Sequence, residues 1–457
     1  MTFKPNKSRL IAAAALGVVL AATTGALCAC SPQANPGIPT IKVEAPASIP
    51  AADKYGVIGA ESWAEQYPNE YNSYLENAKN VPYNYSEETA VSPDTTSKGL
   101  ELLGGDFSAQ EDKVSYLDTN PEIKTLGLGY GYAKFYTEPA GHTYSLYTVE
   151  HNGRINENSK IACYACKTPQ VHYAAAEALA AGEEYWKEPF ANGDFTENVS
   201  CANCHVNDNP TELSLLRQNW VVAMGEDTKN VPMRAQVCGQ CHCDYSMSPV
   251  TGEPTSPYSG GLDSMDPDKA LAWYDKNNYA DWIYESTGAK MISVRHAEFE
   301  FNYVDGGSHM VQLGYDCADC HMGVAVDASG NAYTNHTWSN PLENTELIES
   351  NCSSCHADLV AEVRAVQEDI DGRTTLLGQR AERFIKNFEQ AIAGKKITEK
   401  QKSELQYVQR AACYYWNLAA AENSEGAHNK ALYNRLLDQG NEWLDKGDAI
   451  LGTSSAA

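Results

Sequence analysis

Five short stretches carry chemistry in their spacing. Four read Cys-x-x-Cys-His: Cys201, Cys204 and His205; Cys238, Cys241 and His242; Cys317, Cys320 and His321; Cys352, Cys355 and His356. In such a run both thiols add to a haem and the histidine ligates its iron. The fifth, first along the chain, is Cys163-Tyr164-Ala165-Cys166-Lys167. It has the same cysteine spacing but ends in lysine. A lysine amine is protonated at neutral pH and is a poor routine ligand. A haem c held by Lys167 therefore has a different purpose from the other four. The expected cofactor content is five covalently attached haem c groups.

The remaining side chains follow from that count. Ten of the 14 cysteines lie in these runs, leaving Cys28, Cys30, Cys243 and Cys413. Cys243 and Cys413 read as packed thiols. Of the 11 histidines, four end the motifs and seven remain: His142, His151, His172, His296, His309, His336 and His428. Electron-transfer haems commonly take a second histidine, so four of the seven are wanted as partners. The census alone leaves open which four.

The positions of these groups constrain compartment and architecture. Asp and Glu number 60 against 34 Lys and Arg, a net charge of −26. That balance excludes a nucleic-acid partner, which needs clustered positive charge, and it favours solubility. Lys4, Lys7 and Arg9 precede an apolar run from Leu10 to about Ala22. This is the pattern of a secretory signal, and the run is short of the roughly 20 apolar residues of a membrane span. The stretch Leu27-Cys28-Ala29-Cys30 resembles a bacterial lipobox, with Cys30 as the lipidated residue. Residues 1–29 are thus expected to be a lipoprotein-type signal and 30–52 a Pro/Ala-rich tether. The chain would be exported and anchored to a membrane, facing the periplasm or the cell exterior.

The expected fold is mainly α, with few strands, haems packed in the core and long C-terminal helices. Residues 53–356 form the pentahaem catalytic region, with short helices and loops such as Ser62 to Leu75 and Tyr116 to Leu126. Over 357–393 an apolar stripe (Leu359, Val363, Val366, Ile370, Leu377, Phe384, Ile385, Phe388) follows the helical period, and Gly394 ends it. Thr398-Glu399-Lys400-Gln401 is a capping box that opens a second helix. A third runs from about Gly426 to Leu444. Residues 357–457 belong to the same domain and offer a dimer interface.

One Cys-x-x-Cys-Lys followed by four Cys-x-x-Cys-His and a helical C-terminus resembles the pentahaem, ammonia-forming cytochrome c nitrite reductases. The resemblance runs over roughly 53 to 450. It implies a lysine-ligated haem open to substrate on one face and four bis-histidine haems that supply electrons. It assigns the distal histidines as His142 in Gly141-His142-Thr143-Tyr144, His309, His336 after Tyr333, and His428 after Gly426-Ala427. The pairs it implies are His205 with His336, His242 with His142, His321 with His428, and His356 with His309. Its catalytic trio corresponds to Arg154, Tyr245 and His296. His151 and His172 are left as structural.

The resemblance also marks a departure. Many members bind calcium beside the active site through a Glu, two carbonyls and a glutamine. The matching positions here are Asp244, Tyr245, Ser293 and Arg295. A guanidinium has only donors and a fixed positive charge, and cannot ligate a hard cation that wants oxygens. No calcium is therefore expected, with Arg295 in its place and paired with Asp244, as in the calcium-independent branch. The implied partners are nitrite, a second copy of the chain, and a membrane-associated quinol-oxidising cytochrome as electron donor. The competing readings are a non-enzymatic multihaem electron carrier, or a hydroxylamine or sulfite reductase on the same scaffold.

Overall fold

The computed structural model describes residues 41, 43–80, 115–138, 140–338 and 340–453. The expected signal, the lipobox with Cys30 and most of the tether lie outside these residues. Helix makes up 52% of the described residues and strand 7%, so the architecture is mainly α, as the sequence leads one to expect. No helix among the described residues is long and apolar enough to cross a membrane.

Three long helices dominate the C-terminal part: α1 (Leu359–Ala393), α2 (Glu399–Ala421) and α3 (Lys430–Leu451). Each starts on a cap that satisfies otherwise orphaned N–H groups. Asp358 accepts from the Ala361 N–H at 3.0 Å. Thr398 and Gln401 form the reciprocal capping box read from the sequence. Asn429 accepts from the Leu432 N–H at 3.0 Å. The helices bury a shared stripe in which Leu377, Phe384 and Phe388 of α1 meet Leu405, Val408 and Ala412 of α2 and Leu432, Leu436 and Leu444 of α3. They cross closely at Gly447, where an added Cβ would stand 2.4 Å from the Phe384 ring.

Element boundaries differ from the expectation where proline or glycine intervenes. The third helix begins at Lys430, not near Gly426. Gly426 has φ +102° and lies against Ile370, so the chain turns there before the helix starts. The short helices and loops expected over Ser62 to Leu75 are a 3-10 turn (Ala60–Trp63) and then Pro68–Leu75, because Pro68 suits a first helical turn but not an interior. Pro121 likewise splits Tyr116 to Leu126 into Tyr116–Thr119 and Ile123–Leu126.

The same buried cluster continues out of the long helices into Leu117, Ile123, Leu126, Tyr274, Tyr284, Met291, Val294 and Phe301. The rest of the motif-bearing region is built from short helices and four two-stranded antiparallel ribbons. One ribbon pairs Ser246–Met247 with Pro254–Thr255, and another pairs Trp282–Ile283 with Lys290–Met291. These ribbons flank the segments that hold Tyr245 and Arg295.

Candidate active site

Each Cys-x-x-Cys run sits on or beside a short helical turn, which places residues i, i+3 and i+4 on one face. Cys201–Cys204 and Cys317–His321 are helices opened by capping boxes at Ser200 and Asp316. Cys163 lies in the turn Ile161–Tyr164, Cys238 in the helix Met233–Gly239, and Cys352 ends the turn Ile348–Cys352. Neighbouring runs converge: the thiol of Cys166 meets that of Cys241, and Cys317 meets Cys238.

Three of the implied histidine pairs face one another. The ring centres of His142 and His242, of His205 and His336, and of His321 and His428 are each 6.1 Å apart. Two imidazoles that bind one metal atom from opposite sides, at about 2 Å per bond, have ring centres about 6 Å apart. The outer ring nitrogens support the same orientation. His336 Nδ1 donates to the Thr334 carbonyl (2.8 Å), and His428 Nδ1 to Glu422 (2.5 Å). His356 Nδ1 donates to Glu362 at 2.7 Å. Such bonds leave Nε2 free for a metal and fix the tautomer. Burial holds His142 down at about 3 and His205 at about 4, so both are neutral imidazoles, the ligating form. These residues fit haem c.

The fourth implied pair, His356 with His309, is not among the facing pairs. His309 opens the short helix His309–Gln312, and the His356 ring is 39% exposed. The two histidines read as structural have other engagements. His172 turns Nε2 to the Ala165 carbonyl (2.6 Å), and His151 stacks on Tyr147. Cys243 and Cys413 are buried, as expected.

The Lys167 motif gathers a different set of groups. The carbonyl of Lys167 accepts from Ser145 Oγ at 2.7 Å, which pins the end of the motif. Cys163 feels the charges of Arg154 and Arg295, while Cys166 feels Arg217, Lys167 and His296. The Arg154 guanidinium lies 4.2 Å from the centre of the Tyr132 ring, a cation–π seat. Tyr245 is forced to stay a neutral phenol, since burial raises its pKa well above the ordinary range and outweighs the nearby Arg295. His296 Nδ1 is 3.6 Å from Glu298, and the same carboxylate is 3.6 Å from His242 Nδ1. Glu298 therefore links the His296 ring to the third motif. The three candidates meet around the first motif rather than through one another.

Arg295 is buried, and its bonds correct one expectation. Nη1 donates to the carbonyls of Tyr245 (2.6 Å) and Ser293 (3.0 Å). Nη2 donates to the Tyr130 hydroxyl and to Asp281, both at 2.7 Å. The ion pair is thus with Asp281, not Asp244. Asp244 instead accepts the backbone N–H of Arg295 (3.1 Å) and the Tyr274 hydroxyl (2.9 Å). Burial pushes the Asp244 carboxyl up to about 6, which disfavours it as the charged partner. Asp281 also accepts from the Ser293 N–H and the Tyr279 hydroxyl. Sequence reasoning missed Asp281, Tyr130, Tyr132 and Glu298. The run Gly127-Leu128-Gly129-Tyr130-Gly131-Tyr132 was a visible signal for the two tyrosines, since glycines let a chain approach closely. Asp281 carries no local signal.

A model of the cytochrome c552 family matches residues 59–457. The chain belongs to the cytochrome c552 family. Its relatives include the cytochrome c nitrite reductase subunit NrfA of Nitratidesulfovibrio vulgaris, 27% identical over 427 residues, which cover 83% of this chain and 76% of the relative. Cytochrome c-552 of Haemophilus influenzae is 26% identical over 432 residues, covering 84% and 71%. Among solved structures, the cytochrome c nitrite reductase catalytic subunit of Desulfovibrio desulfuricans, described with two calcium sites, superposes with a TM-score of 0.66 at 23% identity over 86% of each chain. Family membership agrees with the resemblance read from the five motifs, and the superposition extends that agreement to the multihaem fold.

Proposed function

We propose that the chain reduces nitrite to ammonium by six electrons at a haem c ligated by Lys167, fed by four bis-histidine haems. The observation that carries this reading is the grouping of Arg154, Tyr245, His296 and the buried Arg295 around the one motif that ends in lysine. The facing pairs at three of the other four motifs support electron supply there.

Nitrite takes up six electrons and eight protons to leave ammonium and two waters. A haem bound at the motif supplies the electrons and an open coordination position. The rest is the work of the chain. Lys167 would hold that haem through its neutral amine. Arg154 raises the positive potential of a low-dielectric cleft and draws in a small anion. The Tyr245 hydroxyl remains protonated and orients an oxygen or nitrogen acceptor. His296 is the proton donor of the set, with Glu298 against its ring.

The reading includes calcium independence. Arg295 occupies two carbonyl oxygens, of Tyr245 and Ser293, that a cation would otherwise use, and its charge repels one. It also includes lipidation at Cys30, a homodimer through the long helices and a quinol-oxidising cytochrome as donor. Reduced viologen and nitrite, with ammonium quantified, test the activity. His296→Ala is expected to lose most of it while keeping the five-haem absorbance. Wild-type turnover in that variant, or stoichiometric calcium in the same preparation, would count against the respective part of the reading.

A further inference from the structure

Arg217 is the second buried guanidinium of this region, 3% exposed, and only neutral groups satisfy it. It donates to the Gln240 carbonyl through Nη1, to the Pro254 carbonyl through Nη2 (3.1 Å), and to the Cys243 sulfur at 3.7 Å. Among the described residues no carboxylate comes within ion-pair distance of it. Glu253, half-buried and bonded to Asn219, lies only within reach of its field. Arg295, by contrast, is neutralised by Asp281. A buried charge without a counter-ion is expensive, and a fold that retains one is holding a fixed field at that place.

The field is directed at the candidate site. The Arg217 guanidinium lies 5.7 Å from the centre of the Tyr245 ring, and that of Arg295 lies 4.9 Å from it. Both are within the range of a cation–π contact, about 6 Å. Arg217 is also tied at two points to the third motif, since its backbone N–H donates to Gln240 Oε1 (3.2 Å) while its side chain holds the Gln240 carbonyl. The other groups that register its charge are Cys166 of the first motif, Cys241 of the third, Cys243 and His172. None of these cancels it.

We infer that Arg217 is a positioning residue of the anion site: a fixed, uncompensated cation that seats Tyr245 and raises the affinity of the Lys167 pocket for a small anion. This rests on the reading that nitrite binds at that pocket. It assigns the net positive charge there to Arg217 more than to Arg295, whose charge Asp281 offsets.

The test is a nitrite titration of the oxidised five-haem protein, followed by the change in haem absorbance without turnover. Arg217→Gln is expected to weaken nitrite binding about tenfold, and Arg217→Lys to stay within about threefold of wild type. Glu253→Gln, which removes a half-buried carboxylate that lies in the field of Arg217, is expected to tighten binding about twofold. Wild-type affinity in Arg217→Gln overturns the inference, and so does a Lys variant as weak as the Gln variant, since shape and not charge would then matter. If Arg217→Gln fails to take up five haems, Glu253→Gln decides: tighter binding supports the inference, and unchanged binding overturns it. A wild-type protein with no nitrite-induced change removes the reading of the pocket itself. Loss of affinity in the Gln variant alone leaves that reading intact.

Discussion

The pocket around Lys167 and the three C-terminal helices both bury an arginine against aspartate, and they do so on different terms. In the helices, Arg380 of α1 reaches Asp445 (2.6 Å) and Asp448 (3.0 Å) of α3. Asp445 is 61% exposed, so water screens that contact. In the pocket, Arg295 and Asp281 are 7% and 5% exposed, and the guanidinium is held by four acceptors drawn from four segments of the chain. The helices are held by apolar area laid down at a local period. The pocket is held by a few desolvated charges whose partners are far apart in sequence. The first kind of stability is distributed and forgiving, while the second is concentrated in single atoms.

Removing one carboxylate from each region exposes the difference. Asp281→Asn leaves Arg295 buried without its counter-ion and is expected to cost about 3–5 kcal/mol. Asp445→Asn, with Asp448 still in contact, is expected to cost less than about 1 kcal/mol. Denaturant unfolding of both holoproteins measures the contrast. Equal losses would mean that the pocket pair is no more desolvated than the surface one.

The same contrast explains what was legible in the sequence. The three helices could be read because Leu377, Phe384, Leu405 and Leu436 repeat at the helical period and Thr398 and Gln401 announce a start. The third helix is the one whose bounds moved: it starts at Lys430, after the turn at Gly426 against Ile370, and runs on past Leu444 to Leu451. The haem motifs could be read because their spacing is local, and the resemblance then supplied three histidine pairs whose rings do face each other. The environment of Arg295 was half legible: the carbonyls of Tyr245 and Ser293 were anticipated, but the counter-ion was not. Asp281 lies 14 residues from Arg295 across a ribbon, and no period or motif marks that pairing. Arg217 was silent for the same reason, since a buried cation with neutral partners has no signature in composition.

Glu300 gives the pocket side a pH dependence of its own. It accepts the Asp244 N–H and the Tyr258 hydroxyl, both at 2.9 Å. Burial, and then the charge of Asp244, push its carboxyl up to about 8. Its folded pKa is therefore above its unfolded one. The stability it contributes is full below about pH 4.5 and is lost as pH rises through about 8. Thermal unfolding of the wild type should weaken across that window, and Glu300→Gln should flatten the profile. A variant whose profile keeps the wild-type slope would place the proton elsewhere.

The smallest effect belongs to the helical side, and it tests whether that side depends on local signals as its sequence suggests. Thr398 accepts from the Gln401 N–H at 3.2 Å, and Gln401 returns a bond to the Thr398 N–H at 3.0 Å. Both groups are exposed, so water can replace either partner, and no buried atom is left unsatisfied. Thr398→Ala should therefore cost about 1 kcal/mol, the ordinary value of an N-cap. It should leave the haem absorbance and nitrite binding unchanged. The core of α2 begins at Leu405, about two turns further on, so fraying at Thr398 stops before it reaches the packed stripe. A loss as large as that of Asp281→Asn, measured in the same denaturant series, would show that the cap holds more than one turn, and the distinction between distributed and concentrated stability would fail.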